Sequence, residues 1–170
     1  MALPALKLTH PSLEAARSRL ELVINQLETA PPDRLDETLT QSIAWLEAPT
    51  DANLIWPSVA AVAGDEGQRL RYVQLADEWR AFADRISAFA TTWAPRLTTT
   101  QPAIAERLAR FGAERATELR ELAGVLRCLM DAPDERVTEG QAAAAEALRF
   151  EAAKQLVFTL HDDAFRRLAQ

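Results

Sequence analysis

Few side chains in this sequence are equipped for chemistry: the histidines His10 and His161, the cysteine Cys128, the acid pair Asp162-Asp163, and arginines spread along the chain. A di-iron centre inside a helical bundle needs two Glu-x-x-His sequences facing inward. The positions three before the histidines hold Lys7 and Phe158, so that pattern is absent. Zinc ligands exist on paper in Cys128, His161, Asp162 and Asp163, but consecutive helical residues point to different sides and do not converge on one ion. The spacing predicts a surface acid pair beside a partly buried histidine. A Cys128–His161 nucleophile pair would bridge two neighbouring helices without an orienting group or an oxyanion hole, and a single helical cysteine ordinarily packs. Glycines at 64, 67, 112, 124 and 140 have neither phosphate-loop nor dinucleotide spacing. The expectation is a protein that is not an enzyme and holds no metal or cofactor. An aromatic seam could line a cofactor pocket, but regular helix packing explains it more economically.

Binding is the other chemistry to weigh. Lys7 and Lys154 are the two lysines among 19 basic residues, leaving 17 arginines. Arg69, Arg71, Arg80, Arg85, Arg107, Arg110, Arg120, Arg127, Arg166 and Arg167 together could track a nucleic-acid backbone. Asp77, Glu78, Asp84, Glu114, Glu118 and Glu121 are threaded through the same segments, which predicts a solvated face of mixed charge. Arg166 and Arg167 also suit the negative end of a C-terminal helix. Trp45 and Trp56 lie outside the long apolar seams, and each either anchors a protein partner or closes the base of a bundle.

The elements that must position these residues follow from composition and proline placement. Thirty-three alanines and 23 leucines against 12 valines and isoleucines favour helices over strands. The net charge of −6, from 25 acids and 19 bases, marks an acidic chain. No apolar run approaches the ~20 residues that cross a bilayer, so no membrane partner is expected. The Met-Ala-Leu-Pro start lacks the basic and apolar regions of a secretory signal, and a single cysteine suits a reducing compartment, so a cytoplasmic location is expected.

The chain reads as one all-α domain over 1–170: an N-terminal helical hairpin over 9–48, an irregular short-helix linker over 49–67, and three long antiparallel helices over 66–170. The result is an elongated bundle of about five main helices with coiled-coil-like packing. The first helix carries Leu13, Ala16, Leu20, Val23 and Leu27 on one seam; the second, capped by Asp33, carries Leu35, Leu39, Ile43 and Leu46. A helix predicted over 66–93 aligns Tyr72, Leu75, Trp79, Phe82, Ile86, Phe89 and Trp93 at alternating steps of 3 and 4. The next, over 100–130, aligns Ile104, Leu108, Phe111, Leu119, Leu122, Leu126 and Leu129, with alanines at 105, 109, 116 and 123 beside them. Thr138 and Gln141 have capping-box spacing and open a last helix whose expected seam is Ala143, Ala147, Phe150, Val157, Ala164 and Leu168. Arg115, Lys154 and His161 interrupt these seams, either setting register or reaching water at the bundle edge.

These features predict a non-catalytic helical interaction protein: an adaptor, chaperone or small structural subunit that binds a protein partner or a second copy of itself. The alternative is a small helical subunit that touches a nucleic-acid backbone within a nucleoprotein effector. The small subunits of CRISPR surveillance complexes have such an architecture, although no residue pattern here ties the chain to them.

Overall fold

The computed structural model describes residues 10–30, 34, 37–38, 40–42, 44 and 56–168, with backbone alone for 10–12, 57 and 163–168. The expected helix of Leu35, Leu39, Ile43 and Leu46 lies mostly outside the described residues, as does Trp45. The main helices are α1 (His10–Thr29), α2 (Trp56–Ala61), α3 (Glu66–Leu97), α4 (Pro102–Leu129) and α5 (Glu139–Leu168). No strand occurs among the described residues.

The architecture is an all-α bundle built around the α3/α4 hairpin. Asp65 starts α3 by accepting a hydrogen bond from the Gln68 amide at 3.0 Å. The helix passes its expected end at Trp93 and continues through Pro95 to Leu97. A proline in the last turn forfeits one backbone hydrogen bond, whereas Leu97 extends the buried seam by one more turn. Pro102 then occupies the first turn of α4, where its missing N–H is no loss.

Two stripes on α3 pack the hairpin. Leu75, Trp79, Phe82, Ile86, Phe89, Trp93 and Leu97 bury with Leu108, Leu119, Leu122, Leu126 and Leu129 of α4. Beside them Ala76, Arg80, Ala83, Ser87, Ala90 and Ala94 form a second stripe of mostly small residues, at steps of 4, 3, 4, 3 and 4. Small residues let the helices approach closely: a Cβ added to Gly112 would lie 2.2 Å from that of Ala90. Asp77–Arg127 and Asp84–Arg120, each 2.7 Å, step seven residues forward on α3 and seven back on α4, an ion-pair ladder in antiparallel register.

Helix α1 lies on α3 through the expected seam, with Leu13, Leu20, Val23 and Leu27 buried. Arg85 pairs with Glu21, and Arg17 donates to the Glu78 carbonyl at 3.5 Å.

The α4–α5 connection turns at Asp131, whose φ of 52° is left-handed. Arg149 steadies that turn by donating to the Cys128 carbonyl, to the Leu129 carbonyl at 3.3 Å, and to the Asp131 carboxylate. The capping box forms as predicted: Thr138 N–H donates to Gln141 Oε1 at 3.1 Å and Gln141 N–H to Thr138 Oγ1 at 3.3 Å.

Helix α5 packs against α4 and α2, but not through its expected seam. Gln141 and Ala145 are buried and Ala144 and Leu148 half-buried, while Ala143, Ala147, Phe150 and Val157 are exposed. The cap explains this correction. Gln141 occupies a notch where a Cβ on Gly124 would lie 2.0 Å from its Oε1, and that contact sets the rotation of the helix. Phe150 follows nine residues later, ~180° around the axis, and therefore faces away from α4.

Candidate functional site

Two places stand out: a charged junction where α3, α4 and the α4–α5 connection meet, and the distal half of α5. At the junction Arg80 is 6 % exposed, a guanidinium within the small-residue stripe of α3. Burying such a charge is costly without a partner. Asp134 of the connection supplies one, at 2.5 Å, and the same Oδ2 atom also lies 3.3 Å from Arg127 and 3.1 Å from Arg136. Burial alone would raise the Asp134 carboxyl. The hydrogen bonds from Arg80 and Arg136, with the positive charge of Arg80, outweigh it and bring its pKa down to about 2. Nearby Cys128 is buried, and desolvation raises its thiol despite Arg149 and Arg80. A thiol held protonated is a poor nucleophile.

Above this network lies a cavity of about 150 Å³ lined by Arg80, Asp84, Arg120, Arg136 and Gln141. Gln141 is held rigidly there, since its Nε2 donates to the Glu121 carboxylate at 3.0 Å and its Oε1 closes the capping box.

The second place is apolar. Phe150, Leu156, Val157, Phe158 and Leu160 are 53–72 % exposed, and every described side chain from Ala153 to Asp162 faces solvent. The helix thus runs on past the body it packs against. Five large apolar groups at roughly 1.5–3 kcal/mol each for full burial leave on the order of 5 kcal/mol that a covering surface could recover.

Four of the arginines proposed to track a nucleic-acid backbone are held in ion pairs with acids of the same chain: Arg80, Arg85, Arg120 and Arg127 are engaged with Asp134, Glu21, Asp84 and Asp77. Arg69, Arg71 and Arg110 are exposed and Arg107 half-buried, while the side chains of Arg166 and Arg167 lie outside the described residues. Trp56 is 5 % exposed in the core, so in this arrangement its indole is covered rather than presented to a partner. Arg115 pairs with Glu118 within its own helix at 2.7 Å, and Lys154 with Glu151 at 3.2 Å, so neither seam interruption links two helices. His161 is exposed and twelve residues beyond Arg149, the residue that reaches Cys128; at 1.5 Å per residue that is ~18 Å along α5, too far for a Cys128–His161 pair. Among the described residues no three metal-binding side chains cluster, and no helix is long and apolar enough to cross a membrane.

The distal apolar patch had a visible signal. Leu156, Val157 and Phe158 are consecutive, and three consecutive helical side chains spread over ~200°, more than one packed face can cover. No protein-family model, curated protein or solved structure matches the chain.

Proposed function

We propose that this protein is a non-catalytic helical interaction protein, an adaptor or small structural subunit, and that distal α5 is the surface it offers. The observation carrying this reading is the exposed set Phe150, Leu156, Val157, Phe158 and Leu160 on a helix that outruns its own bundle. Leucine and phenylalanine at such exposure favour a partner that supplies an apolar groove, read through helical i, i+3 and i+4 anchors. The rest of the molecule suits a scaffold: the capping box and the contacts of Arg149 to the end of α4 hold α5 at a defined angle, which lowers the ordering cost of association.

The test compares the parent chain with a Leu156→Asp, Leu160→Asp variant. Both positions are exposed, so thermal stability should change little. The reading expects the parent to self-associate by light scattering, or to co-purify from its source cells with one protein in fixed stoichiometry, and the variant to lose that association while keeping its helicity. A parent that stays monomeric and brings down no stoichiometric protein, or that turns over a substrate, refutes it.

A further inference from the structure

We infer that the cavity between Arg80, Arg120, Arg136 and Gln141 is a binding site for a phosphate-sized oxyanion. Its lining holds three guanidiniums and one carboxylate, that of Asp84, which pairs with Arg120, while the single carboxylate of Asp134 beneath it is shared by Arg80 and Arg136. Arg80 is buried, and a buried arginine at a cavity wall is a charge the fold has already desolvated, so an anion entering there gains electrostatic attraction without that cost being incurred again. Arg136 has a side chain 61 % exposed, and of its side-chain nitrogens one reaches Asp134, so its forked donors can turn toward a ligand. Arg120 faces it from α4, with both Nε and one terminal nitrogen on a single oxygen of Asp84. Gln141 supplies a rigid polar wall.

Size agrees with this chemistry. About 150 Å³ is the volume of a cavity that accommodates one small ring, ample for a tetrahedral oxyanion and a bridging water. Asp134 beneath the cavity and Glu121 behind Gln141 compete for the same donors, which predicts weak binding.

The probe is inorganic phosphate, titrated into the full chain by calorimetry against sodium chloride of equal ionic strength. Saturable binding with one site is expected. Arg136→Gln should weaken it at least fivefold while the chloride melting temperature falls only slightly, because the side chain is largely exposed and Arg80 still holds Asp134. Arg69→Gln, eleven residues or ~16 Å before Arg80 along α3, should leave it unaltered. No phosphate-specific heat, or an equal loss in both variants, overturns the inference. A third arm adds a short oligouridylate without terminal phosphates: failure to displace phosphate supports a small-anion site, and displacement at matched ionic strength overturns it in favour of a nucleic-acid backbone contact.

Discussion

Replacing Asp134 with asparagine removes one negative charge from beneath three guanidiniums while keeping the side chain's shape. In the folded protein this carboxyl sits at about 2 against an ordinary 3.8, a difference that corresponds to about 2 kcal/mol of stability at pH 7. Breaking a fully buried ion pair costs more, ~3–5 kcal/mol. The lower figure applies here because the Asp134 side chain is 22 % exposed and Arg80, left behind, lines a cavity. Asp134→Asn should therefore lower the melting temperature by roughly 4–8 °C for a domain of this size. The pH dependence follows from the sign. A depressed folded-state value means that the stabilisation is complete above ~3.8 and is lost as the pH falls through about 2. Urea denaturation of the parent and the variant at pH 7, 5 and 3 should show a gap of about 2 kcal/mol at the first two and roughly half that at pH 3. A gap under ~0.5 kcal/mol at pH 7, or one that widens on acidification, would refute the assignment of Asp134 as the counter-charge of Arg80.

Packing at the two close approaches can be tested by adding or removing single groups. Gly112→Ala gains up to ~1 kcal/mol of helix propensity but forces a Cβ to within 2.2 Å of Ala90, where neither backbone can retreat without parting α3 from α4. Overpacking should win by ~1–2 kcal/mol in chemical denaturation, whereas Gly140→Ala, whose nearest atom is 3.8 Å away, should be neutral or stabilising. Gln141→Ala removes one half of the capping box and empties the notch over Gly124, which should cost ~1–2 kcal/mol and speed amide exchange in the first turn of α5. Unchanged exchange there would show that the box does not hold the helix end.

How far the sequence could be read depended on what each seam packs against. Helices α1, α3 and α4 follow their 3-and-4 patterns because large apolar residues there have a large apolar partner, and Leu20, Trp79 and Leu126 all end fully buried. In α5 the same pattern points the wrong way, since alanines and a capping glutamine provide a closer fit to Gly124 than phenylalanine would. Periodicity finds an apolar stripe; it does not say whether the stripe meets the same chain or another. The oxyanion cavity was less legible still. Arg80, Arg120 and Arg127 were visible as candidates, but Asp134 is what joins Arg80 to Arg127 and Arg136, and Arg136 and Asp134 sit in a connection with no period to read.

This difference separates the two candidate sites. The α5 patch announces itself as apolar excess, a signal local to one helix and detectable wherever three consecutive large residues defy a single face. The charged cavity is made by convergence: α3 contributes Arg80 and Asp84, α4 contributes Arg120, the connection contributes Arg136, and α5 contributes Gln141. None of these is unusual alone, because a mixed-charge helix surface normally contains many arginine–acid pairs. What distinguishes Arg80 is its place in the alanine stripe, where the helices approach too closely for a guanidinium to reach water past its neighbours. An arginine in a small-residue seam therefore has only two outlets, a counter-ion brought by another element or a cavity, and at this junction the fold provides both.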